Sequence, residues 1–190
     1  RATNRYLQIN NRLAAIRREL ADEEKKIVRR AKFVATTVSK AVVDKLIYND
    51  LFDVVIFDEA SMAYIPQIVF SASLAEKNFI CMGDFRQLPP IVQSSQSSIL
   101  NADIFQYCGI TKAVDADVNH KWLCMLNVQY RMHPQISDFV SRWMYKNLLL
   151  SSEDMETKRS NVASNVPVKG YAMALADLSG MMSVCTKIGS

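Results

Sequence analysis

The chain has 190 residues, of which 49% are hydrophobic and 22% are charged, and this composition is typical of a soluble globular protein. It excludes a disordered chain, and the length suffices for one domain or two small ones. The formal net charge of +4 permits a nucleic-acid partner without arguing for one. No apolar run approaches the roughly 20 residues of a membrane span, so we expect no membrane partner.

The cysteines indicate the cellular compartment. Cys81, Cys108, Cys124 and Cys185 lie far apart and form no Cys-x-x-Cys pair. This pattern favours buried free thiols over disulfides or a zinc site, and we therefore expect an intracellular protein, cytoplasmic or nuclear. The chain begins with Arg1 rather than Met, which suggests a fragment of a longer protein.

Residues 1–31 are predicted to form one charged helix. Six apolar residues recur at spacings of three, four and seven, and they form a narrow seam: Tyr6, Ile9, Leu13, Ile16, Leu20 and Ile27. So narrow a seam is typical of a helix that packs on one partner helix. The alternative is a nucleic-acid-binding arm, given the four arginines Arg17, Arg18, Arg29 and Arg30.

Residues 32–118 alternate strand and helix, a pattern that predicts a parallel sheet with helices on its faces. The predicted elements are a strand at 32–37, a helix at 38–48, a strand at 53–57, a helix at 65–75, a strand at 78–82, a helix at about 98–108 and a strand near 111–114. Pro66 falls in the first turn of the helix predicted at 65–75, where proline is tolerated.

Residues 119–190 begin a second unit. We predict a strand within 122–131, an amphipathic helix at 134–149, a polar loop at 151–167 and a strand at 171–180. The helix carries its apolar residues on one face: Ile136, Phe139, Val140, Trp143 and Met144. A sheet of so few strands indicates an incomplete domain.

The stretch FDVVIFDEAS, 52–61, carries the first candidate site. An apolar run typical of a buried parallel strand ends in Asp58 and Glu59. Parallel sheets bind ligands beyond the carboxyl ends of their strands. An aspartate there can hold Mg²⁺, and a glutamate can orient or deprotonate an attacking water. The alternatives are a solvated strand end or a helix N-cap.

The stretch MGDFRQLPP, 82–90, follows the next predicted strand. Gly83 permits a sharp turn, and Asp84 and Gln87 reach the same sheet edge as Asp58. A glutamine at this edge could contact a γ-phosphate or the water that attacks it. The alternative is an ordinary turn.

The stretch NVQYRMHP, 127–134, is the third candidate. Tyr130 offers a ring on which a base can stack, and Arg131 offers a planar set of donors for phosphate. For Arg131 the alternative is a surface salt bridge. His133 and His120 lack partners at metal-ligand spacing, so we interpret both as structural.

In this order and spacing, DEAS, GDFRQLPP and QYRMHP resemble motifs II, III and IV of superfamily 1 helicases. The similarity is to the Upf-like branch, which includes the nonsense-mediated decay helicase, senataxin and the Dna-type helicase-nucleases. The resemblance covers about residues 5–150. Met62 and Phe85 depart from it, since the branch often has glutamine and histidine there.

The resemblance implies a P-loop NTPase fold with a RecA-like parallel sheet. A charged, stalk-like helix, 1–31, would precede the C-terminal part of the first RecA-like domain, 32–118, and the start of the second, 119–190. The implied cofactors are ATP and Mg²⁺, and the partners are DNA or RNA and the remainder of the helicase chain.

The resemblance also implies roles for particular residues. Asp58 would bind Mg²⁺ and Glu59 would be the catalytic base. Gln87, with Gly83 and Asp84, would sense the γ-phosphate. Tyr130 would stack on adenine, and Arg131 would be an arginine finger. Thr37 and Ser39 would contact the nucleic-acid backbone.

The glycines exclude one motif from this stretch of chain. They lie at positions 83, 109, 170, 180 and 189, and none begins the phosphate-binding pattern GxxxxGK[ST]. We therefore expect the chain alone to be inactive. Two hypotheses remain: a piece of an ATP-dependent helicase that moves 5′→3′, or a non-catalytic nucleic-acid-binding or scaffolding protein on a helicase-derived fold.

Overall fold

A computed structural model describes residues 2–92, 98–164, 168–175 and 177. The chain divides into two compact units, residues 1–120 (unit 1) and 121–190 (unit 2). No helix among the described residues is long and apolar enough to cross a bilayer.

Unit 1 opens with a single long helix, α1 (Ala2–Arg30), as predicted. Its apolar seam is exposed, with side chains between 42% and 67% accessible, so no helix in the described part of the chain covers it. Only the last two turns of α1 reach the body of the unit. Val28 packs against a cluster formed by Ala41, Ile47 and Leu74, and Glu24 pairs with Lys40 at 3.4 Å.

The strand predicted at 32–37 is wrong, because residues 31–37 are irregular. A strand needs a neighbour that takes its backbone hydrogen bonds, and among the described residues 32–36 have no such ladder. The helix predicted at 38–48 is two helices, α2 (Val38–Val43) and α3 (Lys45–Tyr48). Asp44 separates them in an extended conformation and caps α3, since its carboxylate accepts the Leu46 N–H at 2.9 Å.

Two parallel strands form the sheet of unit 1, β1 (Phe52–Phe57) and β2 (Ala75–Cys81). They are joined by a 3₁₀ turn (Ala60–Met62) and by α4 (Ile65–Ser73), which has proline in its first turn as predicted. Phe57 lies opposite Cys81, so both strands end at the same edge. The predicted α/β class with parallel strands is confirmed.

Three short helices follow in the described part of unit 1: α5 (Ser98–Asn101), α6 (Ile104–Tyr107) and α7 (Ile110–Asp115). The helix predicted at 98–108 is interrupted by Asp103, whose buried carboxylate accepts the Gln106 N–H at 2.9 Å. The strand predicted near 111–114 is wrong. Its β-branched residues favour a strand only where a neighbouring strand packs against them, and this segment instead buries Ile110 on one side of a helix.

Unit 2 has a two-stranded parallel sheet of minimal length, β3 (Val128–Gln129) and β4 (Leu150–Ser151), linked by α8 (Pro134–Met144). The strand predicted within 122–131 is therefore reduced to two residues. The predicted polar loop contains α9 (Met155–Lys158) and α10 (Ser160–Ala163). Of the strand predicted at 171–180, residues 171–175 are irregular, and 176 and 178–180 lie outside the described residues.

The inward face of α8 differs from the predicted apolar face. Ser137 and Ser141 are buried, whereas Phe139, Trp143 and Met144 are exposed. The serines are buried because they are small and find partners. Ser141 Oγ donates to the Leu149 carbonyl at 2.8 Å and accepts the Leu149 N–H at 3.1 Å, and Ser137 Oγ lies 2.5 Å from Ser151 Oγ.

Candidate functional site

Backbone hydrogen bonds on either side of the two acids after β1 keep these acids out of the sheet. Met82 N–H donates to the Phe57 carbonyl, and Ala60 N–H donates to the Met82 carbonyl, both at 2.8 Å. Met82 thus pairs with the residues on either side of Asp58 and Glu59. The intervening pair is excluded from the ladder, as in a bulge, and both acids are exposed at the carboxyl edge.

Glu59 has a left-handed backbone, with φ 54° and ψ 40°. This conformation costs a residue with a Cβ roughly 1–2 kcal/mol. The neighbouring structure holds it in place, since Ala60 and Ser61 are buried and begin the 3₁₀ turn immediately afterwards. Asp58 Oδ1 accepts the Glu59 N–H at 3.0 Å and so contributes to the same turn.

Gly83 brings the turn after β2 directly against the turn after β1. A Cβ at this position would lie 3.0 Å from Ala60 N, 3.1 Å from Ser61 N and 3.3 Å from Phe105 Cε2. Two of these atoms belong to backbone, which cannot move aside cheaply. A side chain here would have to push this backbone aside by a few tenths of an ångström, so close approach favours glycine, and the two predicted motifs pack together through it.

Asp84 and Gln87 form a closed turn at this edge. Asp84 Oδ1 accepts the Arg86 N–H at 2.9 Å, and Asp84 Oδ2 accepts Gln87 Nε2 at 2.7 Å. Gln87 N–H also donates to the Asp84 carbonyl at 3.0 Å. Because β1 and β2 are parallel neighbours, this turn and the two acids lie at one edge of the sheet.

The donor set at this edge fits Mg²⁺ held mainly by a nucleotide. The described residues contain no group of three or more His, Cys, Asp or Glu that could hold a metal by themselves. Mg²⁺ usually keeps several waters and takes one or two carboxylates together with substrate phosphates. Asp58, an exposed carboxylate at the strand end, provides one such ligand.

In unit 2 a single side chain organises the QYRMHP segment, and sequence reasoning missed it. Gln129 Oε1 accepts the N–H groups of Arg131 and Met132 at 2.8 and 2.7 Å. Its Nε2 donates to the Met132 carbonyl at 3.0 Å and to Ser151 Oγ at 2.9 Å. The signal in the sequence is a glutamine directly before a turn, because its side-chain amide can bond the backbone N–H groups of the residues that follow it.

Tyr130 and Arg131 project from this turn into solvent, with Tyr130 68% accessible. His133 follows as the N-cap of α8, and its Nδ1 accepts the Gln135 N–H at 3.2 Å. Its buried position agrees with the structural interpretation. Tyr130 and Arg131 belong to unit 2, whereas Asp58 and Glu59 belong to unit 1.

The two predicted nucleic-acid contacts lie at the start of α2. Thr37 is its N-cap, and its Oγ1 accepts the Lys40 N–H at 3.2 Å. Ser39 lies in the first turn, and both residues are exposed. The cap orders this turn and leaves the surface around it accessible.

The cysteines correct part of the sequence analysis. Cys81, Cys108 and Cys124 are free thiols, but Cys108 and Cys124 are exposed rather than buried, because they lie at the end of a short helix and in irregular chain. Burial raises the pKa of the Cys81 thiol, and the nearby Cys108 adds to this effect. Cys185 lies outside the described residues.

Comparison with known families gives two matches that follow one another along the chain. Two family models, both described as AAA domain, match residues 2–95 and 111–187. These domains have the P-loop NTPase fold, in agreement with the parallel α/β arrangement of unit 1.

Curated helicases are similar over most of the chain. Helicase sen1 of Schizosaccharomyces pombe is 33% identical over 73% of the chain, which spans 8% of that protein. The DNA replication ATP-dependent helicase/nuclease DNA2 of Gallus gallus is 29% identical over 77% of the chain, or 14% of its own length. The ATP-dependent helicase upf1 of S. pombe is 30% identical over 78% of the chain, or 15% of its own length.

The chain therefore spans less than a sixth of the length of each of these three relatives. The AAA-domain matches, the similarity to these helicases and the three motifs all agree. Together they show that the chain belongs to the superfamily 1 helicases of the Upf1 and DNA2 type.

Proposed function

We propose that this chain supplies the hydrolytic edge of an ATP-dependent nucleic-acid helicase that unwinds DNA or RNA. One observation carries the proposal: the backbone around Met82 excludes Asp58 and Glu59 from the ladder and presents both carboxylates beside the Asp84–Gln87 turn. Carboxylates at the carboxyl edge of a parallel sheet suit the cation that accompanies a nucleotide phosphate.

The two adjacent acids have different roles in this proposal. Bound Mg²⁺ would neutralise the charge on the β- and γ-phosphate oxygens, and Asp58 would hold it directly or through water. Glu59 orients the attacking water and accepts its proton. In this arrangement the Asp58 carboxylate would face the cation and the Glu59 carboxylate would face the water.

The Asp84–Gln87 turn and unit 2 provide the remaining roles. Gln87 hydrogen-bonds the γ-phosphate end of the nucleotide, with Gly83 and Asp84 fixing its turn. Tyr130 stacks on the adenine ring, and the Arg131 guanidinium neutralises charge that develops during hydrolysis. We further propose that these two units belong to the first and second RecA-like domains, with α1 as a stalk.

Nucleic acid is the proposed partner because the relatives are named as helicases, one of them for DNA replication. Thr37 and Ser39 would contact its backbone from the exposed start of α2. Motors of this class grip backbone and stack bases, so we expect no sequence specificity. The proposed direction of movement is 5′→3′.

The chain has no GxxxxGK[ST] loop, since none of its five glycines begins that pattern. That loop cradles the β- and γ-phosphates. We therefore propose that the 190-residue chain on its own neither hydrolyses ATP nor binds it tightly.

The test is Glu59→Gln in the full-length protein. It removes the base but leaves Asp58 in place, so ATP turnover should fall by about 10³-fold or more while ATP affinity stays within a few-fold. Steady-state ATPase assays and binding of a fluorescent ATP analogue measure the two quantities. Glu76→Gln, an exposed acid at the start of β2 on the opposite edge, is the matched control.

Near-normal turnover in Glu59→Gln would make Glu59 only a strand-end charge. A full-length wild-type protein that binds nucleic acid without hydrolysing ATP would instead favour the non-catalytic scaffolding alternative.

A further inference from the structure

Arg86 lies inside the Asp84–Gln87 turn, but its side chain points away from that turn. Its guanidinium pairs with the Asp115 carboxylate, in the last turn of α7. Its Cζ also lies 5.3 Å from the centre of the Phe85 ring. The Arg86 side chain is 28% exposed, so the ion pair is partly shielded from solvent.

Phe85 extends the same connection into the core. Its ring lies 5.7 Å from that of Phe105, which is buried on α6. The Phe105 ring also limits the space at Gly83. Residues 83, 85 and 86 of the turn thus reach α6 and α7, whereas Asp84 and Gln87 bond to each other.

The position of Asp115 supports a specific purpose for this pair. A carboxylate in the last turn of a helix faces the negative end of the helix dipole and is disfavoured there. The Arg86 guanidinium offsets that repulsion.

We propose that Arg86, held by Asp115 and stacked on Phe85, is a positioning residue for ATP hydrolysis: it clamps the Asp84–Gln87 turn so that the Gln87 amide is presented to the γ-phosphate. This role rests on the function proposed above. Arg86 would act without contacting the nucleotide, through the backbone N–H that it donates to Asp84 and through the adjoining Gln87.

The experiment compares Arg86→Ala, Asp115→Asn, the double variant and Arg86→Lys in the full-length protein. Because a misplaced catalytic group slows the chemical step, Arg86→Ala and Asp115→Asn should each lower kcat about ten-fold and leave KM for ATP within about two-fold. The double variant should lose no more than Arg86→Ala, since the two residues form one clamp. Arg86→Lys should be intermediate, because it keeps the charge without the planar stacking group.

A second readout does not depend on activity. Hydrogen exchange of the backbone amides at 84–87, followed by mass spectrometry, should accelerate in Arg86→Ala and Asp115→Asn. Asp53→Asn is the matched control, because Asp53 forms an exposed pair with Lys77 at the other end of the same strands. It should alter neither exchange nor kcat.

The outcomes separate the two proposals. Faster exchange at 84–87 with normal kcat would overturn the positioning role and leave the proposed function intact. A loss of kcat in Asp115→Asn without faster exchange would also overturn it, because Asp115 would then act by another route. An inactive wild-type protein would overturn the proposed function and the positioning role together, while exchange would still show whether the clamp exists.

Discussion

The two segments that present candidate catalytic side chains are held in different ways. In unit 1, backbone groups hold Asp58 and Glu59: Met82 bonds on both sides of the pair. In unit 2, one side chain, Gln129, makes four hydrogen bonds that shape the turn carrying Tyr130 and Arg131. A backbone-held site tolerates side-chain changes unless they fill the space at Gly83, whereas a site held by one side chain depends on that residue.

The largest expected effect tests whether unit 2 contributes chemistry at all. In the full-length protein, Arg131→Ala should lower ATP turnover by about 10³-fold or more, since an arginine finger is worth that much. ADP affinity should change little, because ADP lacks the γ-phosphate. Arg131→Lys should rescue poorly, since a point charge does not reproduce the planar fork.

ATPase assays and ADP titrations on the same three proteins measure both quantities. Arg142→Ala, an exposed arginine on α8, is the control. Equal losses of turnover and ADP affinity in Arg131→Ala would show that Arg131 supports the fold or binds the adenine base of the nucleotide instead.

Gln129→Ala tests the dependence of unit 2 on one side chain. It removes four hydrogen bonds, those to two backbone N–H groups, one carbonyl and the Ser151 hydroxyl, and should lower the free energy of unfolding of unit 2 by about 3 kcal/mol. Hydrogen exchange resolved by peptide reports each unit separately. Gln106→Ala, an exposed glutamine on α6, should change neither unit. If Gln129→Ala lowered the unfolding free energy of unit 2 no more than an ordinary surface substitution does, the turn would hold its shape without the amide.

Gly83→Ala tests the close approach in unit 1. The new Cβ would meet two backbone nitrogens at 3.0 and 3.1 Å, so unit 1 should lose about 2 kcal/mol of unfolding free energy while unit 2 is unaffected. Gly109 is a contrasting glycine, with φ 76° and no neighbouring atom within 4 Å.

The two glycines should respond differently to asparagine, which tolerates the left-handed region. Gly109→Asn should be nearly neutral and Gly83→Asn should destabilise at least as much as Gly83→Ala. Thermal unfolding of Gly83→Ala, Gly83→Asn and Gly109→Asn checks this, and equal behaviour of the two asparagine variants would remove the steric explanation for Gly83.

The smallest effect compares a buried serine from each unit. Ser61 Oγ is buried with no hydrogen-bond partner among the described residues, whereas Ser137 Oγ bonds Ser151 Oγ. Ser61→Ala should therefore raise the unfolding free energy by roughly 0.5–1 kcal/mol, and Ser137→Ala should lower it by about 1 kcal/mol. Urea denaturation measures both, and destabilisation by Ser61→Ala would indicate a partner for its hydroxyl.

The sequence was most informative where local chemistry decides the structure. The apolar run before Asp58 and the proline in α4 predicted elements that the structure contains, although Val54 and Ile56 of that strand are exposed rather than buried. Gly83 has no positive φ, so close packing and not a sharp turn accounts for the glycine at this position. The strand predicted at 111–114 failed because β-branched residues form a strand only beside another strand, and propensity carries no information about neighbours.

Packing and hydrogen bonding explain the other misses. The α8 helix buries serines rather than its aromatic residues, because Ser137 and Ser141 find partners on and beside β4. Gln129 was missed because its role depends on the path of the chain after it, which composition does not show. The residues predicted to be catalytic, Asp58, Glu59, Gln87 and Arg131, are exposed at turns, and their catalytic roles stay predictions.

The exposed length of α1 has a mechanical consequence. Its contacts with the body of unit 1 begin at Glu24 and Val28, while residues 4–23 are all exposed. At 1.5 Å per residue, this exposed part extends about 30 Å from the anchor, and a tilt of about 10° there would carry the far end roughly 5 Å. Leu74, which lies in the cluster that anchors α1, directly precedes β2. A small rotation of α1 about this cluster would therefore move the far end of the helix by about the length of one helical turn.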